Sequence, residues 1–269
     1  MRQFGSCWLR PAKNIESEEA SGWELLDKTL PPLLAGVGGT VDVIGFLSFK
    51  FFAAHVTGNL VVIAAVLVGG GPINPAQILA VPVFLIAVAV VWWIAKVSGK
   101  SGPSLARPLL LVQFVLLIGV LTFSVSGNPA ANPHGLSACI AGMIAVSAMA
   151  SQFALLRLAL PDCPPSTAVM TGNLTNAVLS LLDTFAQGSP LLPGSGEQLR
   201  KTLPLVGGFL MGCLLGAFAV SWFGNWAWSL PVILAGVALM LSYAVNEQSA
   251  SYEPQQLGRS GLPEGRFGA

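Results

Sequence analysis

The chain has 269 residues, of which 54% are hydrophobic and only 9% charged, with a formal net charge of +1. Soluble domains carry roughly 25% charged residues, so the composition excludes an ordinary water-soluble fold and points to an integral membrane protein. A net charge this small gives no electrostatic footprint for nucleic acid; the partner it implies is the lipid bilayer.

Residues 1–29 are polar and of mixed charge, and no apolar core follows an early basic cluster. They are expected to form a flexible cytoplasmic tail, not a cleaved signal peptide. Between residues 30 and 245 lies one integral membrane domain. Residues 246–269, rich in Ser, Gln, Gly, Pro and charge, are expected to be a second, disordered cytoplasmic tail.

A hydrocarbon core of roughly 30 Å needs about 20 residues to cross. The stretches long enough are Leu33–Phe52, Ala76–Val97, Pro108–Val125, Leu136–Leu156, Leu203–Phe223 and Trp226–Val245. Two shorter apolar pieces, Leu60–Val68 and Leu174–Phe185, are expected to be half-helices. The first is too short to cross, and the second carries Thr175, Asn176 and Asp183.

Each short piece is introduced by the same phrase: His55-Val56-Thr57-Gly58-Asn59-Leu60, then Val169-Met170-Thr171-Gly172-Asn173-Leu174. Glycine and asparagine tolerate irregular backbone, while threonine and asparagine need hydrogen-bond partners. Either polar residue could cap a helix amino end, whose free N–H groups also favour an anion.

Loop charge chooses the topology. With six spans and the amino terminus inside, every one of the thirteen Lys and Arg residues except Lys50 falls on the cytoplasmic side. Were the short pieces also to cross, the loop holding Lys96, Lys100 and Arg107 would lie outside, against the positive-inside rule. Six spans with both termini cytoplasmic is the better account. Each half (about 30–126 and 135–245) then holds three spans and one half-helix, and an odd number of spans inverts the second half. The expected fold is an all-α membrane protein of six transmembrane helices plus two half-helices, as two inverted three-span repeats.

The run from Ala35-Gly36 to Leu60, with Thr40-Val41-Asp42 and the His-Val-Thr-Gly-Asn phrase, resembles the YoaK-like bacterial membrane proteins. Gln152 and the stretch Pro164-Pro165-Ser166-Thr167 leading into the second phrase carry the same resemblance, which spans about residues 30–245. It implies a six-span protein of the bacterial inner membrane and brings no substrate, reaction or cofactor. The chain departs from the family where Phe153 follows Gln152 in place of an asparagine.

Asp42 lies inside the first span, where a carboxylate costs several kcal/mol unless it is paired or protonated. Its natural partners are Lys50 and His55. Gln152 holds a comparable place before the second phrase. The expected substrate- or ion-binding site therefore comprises Asp42, His55, Thr57, Asn59, Gln152, Thr171, Asn173 and Asn176. Purely structural roles in capping and packing are the competing expectation. Gly208, Gly212 and Gly216 line one helix face and are expected to pack helices, within the monomer or in a homo-oligomer. Four scattered cysteines (Cys7, Cys139, Cys163, Cys213) and two distant histidines offer no metal or cofactor site, and no nucleophile–base signature marks an enzyme. The architecture is expected to serve a small-solute secondary transporter or channel. The alternative is a non-transporting membrane scaffold or sensor.

Overall fold

A computed structural model describes residues 17–99, 103–158, 170–185 and 195–259. Among them every regular element is helical: α1 (Ser17–Phe49), α2 (Val56–Gly69), α3 (Pro75–Ser98), α4 (Pro103–Gly127), α5 (Leu136–Leu158), α6 (Met170–Phe185), α7 (Ser195–Phe223) and α8 (Ser229–Arg259). Short 3-10 turns at Pro129–Ala131 and Gly224–Trp228 link α4 to α5 and α7 to α8. The helix continues into both stretches expected to be tails, from Ser17 and on to Arg259. Residues 1–16 and 260–269 of those stretches lie outside the described residues, as does Pro164–Val169.

Among the described residues, five helical stretches are long and apolar enough to cross a membrane: Thr29–Phe49, Pro75–Ser98, Leu105–Gly127, Leu136–Leu158 and the 50-residue run Ser195–Ala244. The last of these folds back on itself. Gly224, with φ of 53°, opens the 3-10 turn that divides it into α7 and α8.

Contacts fix the direction of each long helix. α7 runs alongside α1 in the same sense, with Gly208 against Pro32, Gly212 against Gly36 and Gly216 against Thr40. A Cβ on Gly208 or Gly212 would collide with the backbone carbonyl of Pro32 or Gly36, so the two helices meet backbone to backbone. α8 starts where α1 ends, the Trp228 ring stacking 5.6 Å from Phe49, and returns past Ala238 toward Leu34. α4 opposes α8: Arg107 Nε donates to the Ser242 carbonyl at 3.2 Å at one end, and Asn225 donates to Asn128 at 2.6 Å at the other. α3 and α5 run together away from the Phe49 end, touching through Phe84 and Phe153 at 5.8 Å.

Two apolar cores follow from this. One surrounds Phe49, Phe51, Ala145, Met149 and Trp228; the other surrounds Leu30, Leu34, Leu110 and Leu155. α1 and α5 are mostly buried, whereas Leu85, Ile86, Trp92, Trp93 and Val97 of α3 stand exposed. A continuous apolar surface of that kind suits lipid, not water.

Three of the boundaries that differ from the sequence expectation bear on the polar segment. α1 stops at Phe49 and not Phe52, because Lys50 adopts a left-handed backbone (φ 58°) and turns the chain. α2 begins at Val56 and α6 at Met170, so the Thr-Gly-Asn phrases form first helical turns and do not precede them. The first turn of a helix leaves its N–H groups without intrahelical acceptors, and polar residues are common there.

Candidate functional site

After Lys50 the chain descends along α1 without helical structure. The carbonyl of Phe51 lies against Gly45, and the N–H groups of Ala54 and His55 reach Asp42. Phe49 and Asp42 are separated by about 10 Å of helix rise, so the segment re-enters the helix bundle to the level of Asp42. There α2 begins.

A non-helical segment at this depth must have its backbone groups satisfied by protein. Asn74 Nδ2 donates to the Phe49 carbonyl and Gln77 Nε2 to the Lys50 carbonyl, both at 2.7 Å. Asn59 clasps Phe52 from both sides: it accepts from the Phe52 N–H and donates to the Phe52 carbonyl, each at 2.8 Å. Asp42 Oδ1 accepts from Ala54 N at 2.7 Å and His55 N at 3.2 Å. Its other oxygen pairs with His55 Nδ1. Asp42 is 3% exposed, so these bonds replace its hydration.

Packing holds the segment as well. Phe51 is fully buried against Gly142 of α5, where a Cβ would lie 2.7 Å from the Phe51 ring. Phe52 stacks on Phe46 at 4.9 Å and covers Gly58. The His55 ring meets the Phe209 ring of α7 edge-on at 5.3 Å and keeps about a third of its side chain exposed (34%). Chemically, the cluster offers one buried carboxylate and one imidazole that faces outward.

Only part of the expected site is brought together. Asp42, His55 and Asn59 converge on one short segment. Of the two partners expected for Asp42, the fold selects His55; Lys50 is exposed, its Nζ 6.0 Å from the Phe46 ring. Thr57 is exposed, and the cap position of α2 falls to His55, which makes no side-chain capping bond. Neither Thr57 nor Asn59 caps, because Asn59 is occupied by Phe52. Gln152 belongs elsewhere: it accepts from Gln113 at 2.7 Å and donates to the Leu34 carbonyl at 3.0 Å. Leu34 is about 12 Å along α1 from Asp42, so these are separate polar clusters. On α6, Asn173 is buried whereas Thr171 and Asn176 are exposed. The two phrases rest on different neighbours, α2 against α3 and α6 against α7.

Sequence reasoning missed Asn74, Gln77 and Gln113. The Asn74-Pro75 step was a usable signal, since Asn followed by Pro marks a helix start, and Asn74 does accept from Ala76 N at 2.9 Å. Gln77 and Gln113 are ordinary polar residues in apolar runs, with partners distant in sequence.

Apolar helices of membrane length, packed around a non-helical segment that buried polar side chains hold in place, point to an integral membrane protein. The chain belongs to the family described as protein of unknown function DUF1275, whose model matches residues 30–241. No curated protein and no solved structure matches it.

Proposed function

We propose that this protein is a small-solute secondary transporter or channel, built as two inverted repeats of three spans and one half-helix, with Asp42 and His55 as its proton or cation site. Six spans, both termini cytoplasmic and a bacterial cytoplasmic membrane complete the proposal.

Helix pairing supports the repeat. Exchanging α1–α4 with α5–α8 turns the α1–α7 contact into α5–α3, α1–α8 into α5–α4, and α2–α3 into α6–α7; all of these contacts occur. The exchange also reverses direction, since α1, α4 and α7 run one way and α3, α5 and α8 the other. Repeats inverted in this way commonly place substrate or ion sites near the midplane at broken helices.

The observation that carries the functional reading is the delivery of an imidazole–carboxylate pair to membrane depth by a broken helix. Ionisable groups there are costly and mark ion or proton pathways by default. Histidine titrates near neutral pH and can exchange a proton with the fixed carboxylate beside it. One observation favours the scaffold reading instead. Asp42, Asn59, Asn74 and Gln77 all close on the backbone of residues 49–55, which alone would justify their burial.

Vesicles loaded with a pH-sensitive dye, and a second set loaded with a sodium-sensitive dye, separate the two. Reconstituted wild-type protein is expected to dissipate an imposed proton or sodium gradient faster than empty vesicles. His55→Gln, which keeps a donor but cannot titrate, is expected to abolish the flux while elution from a sizing column stays normal. Absence of flux from correctly folded wild type under both gradients would overturn transport of these ions.

A further inference from the structure

Away from the re-entrant segment, α3 and α5 leave a groove of about 540 Å³ whose lining includes Phe84, Leu85, Trp92, Phe153, Ala154 and Arg157. Phe84 and Phe153 meet at the end of the groove nearer the Phe49 core. At the other end stands the exposed guanidinium of Arg157 beside Trp92, and Lys96 Nζ lies 5.0 Å from the Trp92 ring. Among the described residues, neither Arg157 nor Lys96 has an ion-pair partner.

We infer that this groove is a binding site for an anionic phospholipid, with one acyl chain along the Phe84–Phe153 wall and the phosphate at Arg157 and Lys96. The walls are apolar over a length that a water-soluble anion would leave unfilled, and a hydrocarbon chain matches them. Arg157 lines this end and Lys96 lies over the Trp92 ring, and among the described residues no acid pairs with either, which favours a headgroup of net negative charge over a zwitterionic one. Arginine forks onto phosphate oxygens, and lysine adds a point charge. Trp92 lines the groove with Arg157 and carries Lys96 over its ring, and an indole sits at headgroup level. By loop charge this end faces the cytoplasm, so the lipid comes from that leaflet. The inference rests on α3 and α5 lying in a bilayer, and its choice of leaflet on the proposed topology. It is independent of the transport proposal.

The test is native mass spectrometry of the full chain in mild detergent, with phosphatidylglycerol and phosphatidylcholine of equal chain length offered together. Wild type is expected to retain phosphatidylglycerol preferentially. Arg157→Gln and Lys96→Gln should each lower that retention about fivefold, while Lys50→Gln, at the opposite end of the helices, leaves it unchanged. A phosphatidylglycerol with a photoreactive acyl chain, applied to the unaltered chain, should label the 84–92 and 153–158 peptides; this arm does not depend on any variant folding. Equal retention of both lipids, labelling confined to other helices, or full displacement by millimolar inorganic phosphate would each overturn the proposal. So would labelling lost on self-association, which would show the groove to be covered by a second copy of the chain.

Discussion

α1 touches two buried polar clusters that solve opposite problems. Near its end, Asp42 accepts from a stretch of chain that has left the helix. Nearer its start, Gln152 reaches a carbonyl, Leu34, that belongs to an intact helix. A broken segment presents free N–H groups, and a carboxylate, which only accepts, can take two of them at once. An intact helix presents at most the second lone pair of a carbonyl, and an amide both meets it and accepts from Gln113. Under the repeat proposal Asp42 and Gln152 lie on corresponding helices, α1 and α5. Their difference shows that a polar residue at membrane depth is not in itself a site. What separates the two is the neighbour: Asp42 has a partly exposed imidazole, whereas Gln152 has a fully buried amide.

The largest effect should come from removing the charge that organises the break. Asp42→Ala strands the Ala54 and His55 N–H groups and the His55 ring, and is expected to cost about 3–5 kcal/mol. The measurement is the fraction of protein eluting as a monodisperse species after graded heating. If this variant is as stable as wild type, the carboxylate does not hold the segment, and the contrast between the clusters disappears.

A smaller loss tests whether the break also depends on the other half of the chain. Gly142→Ala adds a methyl group where the ring of fully buried Phe51 already sits, so the ring must shift to admit it. Overpacking of this kind costs about 1–3 kcal/mol. Gly38→Ala on α1, with nothing within 4 Å of the added carbon, is the matched control and should be neutral or stabilise by up to about 1 kcal/mol through helix propensity. Equal behaviour of the two variants would detach the segment from α5.

Much of this was legible in the chain because it depends on local pattern. Apolar length identifies the long helices, the repeated phrase marks both short ones, and the spacing of Gly208, Gly212 and Gly216 defines one face of α7. Spacing also narrows the partner of Asp42 to Lys50 or His55. The rest was hidden for a physical reason. Phe51 and Phe52 are as apolar as the helix before them, and nothing in lysine announces a left-handed backbone at residue 50. Grouping Gln152 with Asp42 followed from their similar distance to the phrases, but hydrogen-bond partners are set by helix register. Gln113, Asn74 and Gln77 find theirs across the bundle, where no spacing rule reaches.

The neutral cluster predicts the smallest net change, and it does so through a pair of variants. Gln152→Leu alone leaves the Gln113 amide without its acceptor and should cost about 1–3 kcal/mol. Gln113 Oε1 already has no partner among the described residues, so this side chain is only half used. Replacing both glutamines with leucine removes donor and acceptor together, and apolar side chains of similar shape can fill the space at nearly no cost. The double variant should therefore recover to within about 1 kcal/mol of wild type in the same heating assay. No second substitution should rescue Asp42→Ala in that way, because replacing His55 would remove the stranded ring but not the two stranded backbone N–H groups. Recovery at the glutamines without recovery at the aspartate is the pattern expected when one cluster joins two side chains and the other holds up a break in the main chain.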